Sequence, residues 1–344
     1  MDVPGKLPHK QHAEAVPLAG GLTFFPALLI GFLIFRNDLS ELWILLVPVS
    51  IIFLTGLVDD YRPVPYIFKL TGQFIAAGAL VAQSQADTPD GLAYRYALYK
   101  GNAFVVKGAS ALYDAINSDS ALSLYDPAIH TGNLTRAYLA DRSNYLTTLF
   151  TRNALDNTDT IFSSTGGNVL YRDYRNGQIT EIRTGSVFTG DDARRHIVFG
   201  SAQPDTLIGG SVTDHLYGME GNDTLNGGDG ADTLEGNTGD DLLYGGFGSD
   251  TLMGGVGFDT YRTFANEGFD TIEDADGQGK IMVGSLEIKG SAALTDLTKW
   301  MQLGTDTWVD SQNGVVYGKS LVDGETQLLI HKGDSNVLVK GWSD

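Results

Sequence analysis

Hydrophobic and polar positions follow three different rhythms along this 344-residue chain. From Leu18 to Phe35, and again from Leu42 to Val58, no charged residue interrupts the apolar run. Each run is close to the ~17 to 25 apolar residues that cross a bilayer core. A third run, Leu70 to Ala82, reaches that length only if it begins near Tyr66 and leaves Lys69 at the interface. Because the first two runs lack the polar stripe of a surface helix, they predict two or three membrane-spanning helices. The leader Met1 to Val16 mixes acidic with basic residues, unlike a cleaved signal peptide.

Between residues 84 and 199 the rhythm is mixed, which predicts an α/β segment. Leu134, Tyr138, Tyr145 or Leu146, and Leu149 fall on one stripe of a helix over 134–150, with Asn133 or Thr131 as its cap. His130 and His196 read as ordinary surface or core histidines, and Asp191-Asp192 beside Arg194-Arg195 as a solvated charge cluster. Beyond Asp270 the runs KIMVGSLEIKG, VVYGKSLVDG, TQLLIHKG and NVLVKGW alternate apolar with polar, and Asn313-Gly314 and Asp323-Gly324 mark hairpin turns. This predicts a β-rich C-terminal region.

From Gly200 the period is nine: GSAQPDTLI, GGSVTDHLY, GMEGNDTLN, GGDGADTLE, GNTGDDLLY, GGFGSDTLM, GGVGFDTYR. Aspartate holds the sixth place throughout, at Asp205, Asp214, Asp223, Asp232, Asp241, Asp250 and Asp259. The eighth place is Leu207, Leu216, Leu225, Leu234, Leu243, Leu252 and Tyr261. A disordered glycine linker would not keep both registers.

Charge separates the same regions. The formal net charge is -19. The first 83 residues contribute almost none of it, with five bases against six acids, while residues 200–262 set eleven carboxylates against Arg262 alone. So acidic a chain repels phosphate backbones, which argues against nucleic acid as a partner and for divalent cations. With no cysteine, disulfides, zinc-thiolate sites and cysteine nucleophiles are excluded. No Gly-x-Ser-x-Gly elbow occurs, so an α/β-hydrolase serine centre is not supported.

The nine-residue series resembles the GGxGxDxUx calcium-binding nonapeptide of the RTX (repeats-in-toxin, haemolysin-type) proteins. That resemblance implies a parallel β-roll with two nonapeptides per turn, so that loops 18 residues apart stack. Aspartates 205, 223, 241 and 259 then line one edge, and 214, 232 and 250 the other. Calcium between successive loops would take aspartate oxygens and backbone carbonyls, with Gly218, Gly227, Gly236, Gly245 and Gly254 allowing left-handed turns and letting oxygens crowd the ion without side-chain clash. The best sites pair Asp223 with Asp241, Asp241 with Asp259, and Asp232 with Asp250. GSAQPD and GGSVTD lack the usual glycines, which marks Asp205 and Asp214 as the weakest ligands. In low calcium the acidic roll is expected to be disordered and to fold on binding the ion.

Two further resemblances flank this one. Leu124-Tyr125-Asp126-Pro127-Ala128, with Leu134-Thr135, Tyr138-Leu139, Asp141-Arg142 and Tyr145-Leu146, is similar to the segment before the repeats in RTX lipase-like proteins. The β-rich tail resembles the cap that follows such repeats and carries a type I secretion signal near the C-terminus. At the other end, Asp2-x-Pro4, Lys10-x-His12, Pro17-Leu18, Gly20-Gly21, Gly56-Leu57-Val58-Asp59-Asp60 and Lys69-Leu70-x-x-Gln73 resemble the polyprenyl-phosphate sugar-1-phosphate transferases. In that family the paired aspartates, here Asp59 and Asp60, serve magnesium and lipid phosphate, and the loop base, here Lys10, binds phosphate. That family has about ten spanning helices and later catalytic loops, which this chain lacks after Gln83, and catalysis needs the full constellation.

The expected fold is therefore mostly β: a membrane-type fragment over 1–83, a mixed segment over 84–199, a roll over 200–262 and a β cap over 263–344. The expected function is calcium binding by a non-catalytic RTX roll, secreted or at the cell surface, with type I secretion machinery as a partner and a membrane-associated N-terminal segment. One alternative is a magnesium-dependent transferase fragment or fusion joined near Gln83 to Asp87. The other is an accessory module of an RTX lipase.

Overall fold

The computed structural model describes residues 81–86, 88–101, 110–118, 121–129, 131–154, 168–184, 193–288 and 300–341. The apolar runs with Lys10, Asp59 and Asp60 lie outside the described residues, as do His130, Asp191, Asp192 and the last three residues. Among the described residues, no helix is long and apolar enough to cross a membrane. The chain divides into one unit of Met1–Ala82 with Leu146–Thr158 and another of Gln83–Tyr145 with Asp159–Asp344. Among the described residues, the strands all lie in the second unit.

Among the described residues, helices α1 (Pro89–Tyr99), α2 (Ser110–Ile116) and α3 (Arg136–Ala154) precede the strands. Thr88 caps α1 by accepting the Gly91 N–H at 3.0 Å, and Pro89 needs no donor in the first turn. The cap of α3 is Thr135, whose hydroxyl accepts the Tyr138 N–H at 3.0 Å, rather than Asn133 or Thr131. Asn133 is instead drawn away to bond the roll. The expected stripe is buried at Leu134, Tyr138, Tyr145 and Leu146.

Strands β1 (Val169–Asp173), β2 (Thr180–Arg183) and β3 (Arg195–Phe199) lead into the repeats. From there the chain alternates between two sheets. One takes β4 (Thr206–Ile208), β6 (Thr224–Asp229), β8 (Leu242–Phe247), β10 (Asp259–Thr263) and β12 (Gly279–Val283); the other takes β5 (His215–Glu220), β7 (Thr233–Thr238), β9 (Thr251–Val256) and β11 (Phe269–Glu273). Each strand pairs in parallel with the next but one, in registers such as Thr206↔Thr224 and His215↔Thr233. This is a parallel β-solenoid of about five turns over 197–283. It outruns the nine-residue motif at both ends.

The repeat explains the coil. Two residues after each aspartate, the side chains of Leu207 to Leu252 and of Tyr261 point inward and are at most 2% exposed, forming one contiguous core with Val198 and Ile272. Burying each leucine contributes about 1.5 to 3 kcal/mol. Most strands in the coil are longer than the three residues expected after the aspartate. Pairing runs on into the next loop, as in Met219↔Asn237 and Gly228↔Gly246.

Antiparallel strands extend the solenoid at three sheet edges, while β4 is left at the edge of the smaller sheet. β13 (Leu286–Ile288) folds back on β12. β14 (Trp300–Gly304), β15 (Thr307–Asp310), β16 (Val315–Val322), β17 (Glu325–Lys332) and β18 (Ser335–Lys340) form a meander whose last strand joins β11 in parallel. Asp323 (φ 53°) and Gly324 (φ 87°) make the expected two-residue turn. At the other end, β1 pairs with β3 and carries β2 outward. On the outer face of the larger sheet, Tyr138 of α3 meets Phe199 and Tyr217 edge-on, at 5.9 and 5.1 Å between ring centres.

Candidate calcium-binding loops

The aspartates form the two expected columns, each linked by a backbone bond to the turn before. Asp223 Oδ1 accepts the Asp205 N–H at 2.7 Å, Asp241 that of Asp223 at 2.7 Å, and Asp259 that of Asp241 at 2.9 Å. On the other edge Asp232 accepts from Asp214 at 2.8 Å and Asp250 from Asp232 at 2.9 Å. All five of these acceptors are at most 2% exposed.

Their second oxygens distinguish the loops. Oδ2 of Asp223, Asp232, Asp241, Asp250 and Asp259 is buried with no hydrogen-bond donor. Asp205 Oδ2, by contrast, takes the Ser201 N–H and hydroxyl at 2.7 and 2.8 Å, and Asp214 Oδ2 takes the Gly210 N–H. Buried carboxylate oxygens are ordinarily partnered, so five in series without a donor call for a cation.

Backbone geometry picks out the same five loops. The second and fourth residues of each have positive φ: Met219 and Gly221, Gly228 and Gly230, Asn237 and Gly239, Gly246 and Gly248, Gly255 and Gly257. The first two loops have no such residues among the positive-φ positions. The leading glycines are not among the positive-φ residues; what they provide is room. A β carbon on Gly218, Gly227, Gly236, Gly245 or Gly254 would lie 2.1 to 2.5 Å from the Oδ2 of the aspartate five residues on. They keep the space beside that oxygen clear.

Calcium fits this donor set. Among the described residues no three His, Asp or Glu side chains converge on one point, so a six-to-eight-oxygen shell there would draw on backbone carbonyls or water beside the aspartates. Loops cleared of β carbons present those carbonyls. Sequence reasoning missed Asp270, which continues the second column by accepting the Asp250 N–H at 3.3 Å. Its turn is 20 residues long, as in Thr251↔Thr271, which breaks the nine-residue register. The signal was the phrase Asp270-Thr271-Ile272, which keeps the aspartate and the inward apolar residue. Thr263 bonds its carboxylate, so it closes the column.

Other expectations are revised. Arg194 is 1% exposed, and Arg195 is half-buried with its guanidinium on the His215 ring nitrogens at 2.9 to 3.1 Å, so this pair is not a solvated cluster. His196 keeps one of its two expected places, as a core histidine, and its backbone N–H donates to Asp214 Oδ1. Glu235, unremarked in the sequence, is buried against Thr135, and burial pushes its carboxyl up to about 8.

Electrostatics makes the metal-free loops sensitive to protons. Burial, aided by neighbouring carboxylates, pushes Asp223 and Asp232 up to about 7, Asp259 up to about 8, and Asp241 and Asp250 up to about 6. Unfolded aspartate titrates near 3.9, so the folded chain holds more protons between these limits. That stability is complete below about pH 4 and is lost as pH rises through 6 to 8. In chelator, more of the β-sheet circular dichroism should therefore be present at pH 5 than at pH 8; a signal that is flat or falls toward pH 5 contradicts this.

A family model for the RTX calcium-binding nonapeptide repeat (four copies) matches residues 199–234 and 226–261. The matched stretch lies within the coil and ends just after Asp259. No curated protein matches the chain.

Proposed function

We propose that this chain, which carries RTX calcium-binding nonapeptide repeats over 199–261, takes calcium ions between successive turns of its roll. The roll folds where calcium is abundant outside the cell, after type I export, and holds its flanks in place without catalysing a reaction. The observation that carries this reading is a coincidence of three features in the same five loops: a donorless buried Oδ2, positive φ at two fixed places, and a glycine that leaves the oxygen uncovered. Extracellular calcium modules bind at about 0.1 to 1 mM, which matches that setting.

Counting bound ions tests the reading. Asp241 belongs to two of the three loop pairs, Asp250 to one and Asp205 to none. In equilibrium dialysis against calcium, Asp241→Asn should lose about two ions, Asp250→Asn about one, and Asp205→Asn none, relative to the parent chain. Equal losses in Asp241→Asn and Asp205→Asn would overturn the assignment.

A further inference from the structure

Away from the aspartate columns, the segment from Tyr125 to Thr135 covers the outer face of β7, β9 and β11. A cavity with room for about one water-sized sphere lies beneath it, lined by Tyr125, Asn133, Thr135, Glu235, Asn237 and Glu273 among others. By strand alternation Glu235 faces away from Gly236, whose α carbon looks toward Asp241. This cavity therefore opens on the outer face, away from the aspartate columns, although Asn237 also supplies a positive-φ residue to the loop before Asp241.

Its polar lining is mostly oxygen. Glu235 and Asn237 are 2% and 6% exposed. Glu235 Oε1 accepts the Thr135 hydroxyl at 2.7 Å, Glu273 Oε2 accepts the Tyr125 hydroxyl at 3.0 Å, and Asn237 Nδ2 donates to the Asn133 carbonyl at 2.9 Å. That leaves Glu235 Oε2 and Asn237 Oδ1 buried with no donor. The amide nitrogen of Asn133 is also without a partner, and turning that amide over sets a third oxygen in its place.

Charge points the same way. Lys340 Nζ is bonded to Glu273 Oε1 at 2.6 Å, and among the described residues no basic side chain is bonded to Glu235. A buried carboxylate keeps its charge only beside a counter-charge. Carboxylate, amide, hydroxyl and carbonyl oxygens around an ion-sized space are the donors of a hard divalent cation. We propose that this cavity binds one calcium ion, held by Glu235 and Asn237 of the roll and by the Asn133 to Thr135 segment. The ion locks the helical flank onto the outer face of the solenoid.

Calcium alone is the probe, with the full chain in equilibrium dialysis. Glu235→Gln keeps shape and removes charge, so it should bind one ion fewer than the parent while its circular dichroism in excess calcium stays unchanged. Asn237→Asp adds a charged ligand at a position where aspartate tolerates the positive φ, and should tighten that one ion severalfold. An ion count unchanged in Glu235→Gln, or an unchanged affinity in Asn237→Asp should Glu235→Gln fail to fold, overturns the proposal. The inference does not rest on the roll's own ions: a parent chain that binds no calcium defeats both readings, whereas roll ions that titrate normally beside an unaltered Glu235→Gln count defeat only this one.

Discussion

Chelating calcium at pH 7.5 should remove most of the β-sheet circular dichroism of the full chain, and about 0.1 to 1 mM calcium should restore it. The metal-free roll must hold Asp223, Asp232, Asp241, Asp250 and Asp259 at most 2% exposed, each with an oxygen lacking a donor. Asp223 is raised further by Asp241 and Asp205, and Asp232 by Asp214 and Asp250. Against this stands a core one residue wide per strand. An ion at a hundred times its dissociation constant adds about 2.7 kcal/mol per site, so three sites add about 8 kcal/mol. That is as large as the whole stability of an ordinary domain, about 5 to 15 kcal/mol. Magnesium should not replace calcium, because it keeps its waters and demands a tighter octahedron. A sheet signal unchanged by chelation would falsify the coupling of folding to calcium.

The roll was legible because its chemistry is local and periodic. An aspartate, an inward leucine two places on and a glycine five places before recur at fixed spacing, and the 18-residue registers follow directly. What broke the period was hidden: Asp270 belongs to the same column but lies in the strand that follows the loop 264–268, which includes Asn266 and Gly268, both at positive φ. The extent of the coil was hidden for the same reason. Ile197 pairs with His215 and Lys280 with Thr260, yet neither partner outside the repeats carries the motif. The contacts that join flank to roll were the least legible. Thr135 with Glu235 and Asp141 with Tyr217 are 100 and 76 residues apart, and nothing in the pattern of either segment names its partner. The reason for the leading glycines also needed coordinates, because a residue free to adopt positive φ and a residue kept small beside an oxygen look alike in sequence.

Gly248→Ala should prevent the roll from forming at calcium levels that fold the parent, whereas Gly314→Ala should leave it folded. Gly248 has φ +144°, and a β carbon there would lie 1.5 Å from the Gly230 carbonyl oxygen of the preceding turn. Neither backbone can retreat easily. Gly230 N–H donates to the Phe247 carbonyl at 2.7 Å, and Gly248 N–H to the Glu267 carbonyl at 2.5 Å, so both strands of the contact are tied into the ladder. Strain at such a φ costs about 1 to 3 kcal/mol, and forcing extra volume into a packed site about 1 to 3 more. Together these approach the stability of the whole domain. Gly314 has φ +66° with nothing within 4 Å of a β carbon, so alanine there meets only the conformational cost of about 1 kcal/mol. Because calcium binds the folded loops alone, the midpoint of the Gly248→Ala calcium titration should rise at least tenfold. Thermal midpoints for the two variants that agree within a few degrees in saturating calcium would show that the turns are not stacked this closely.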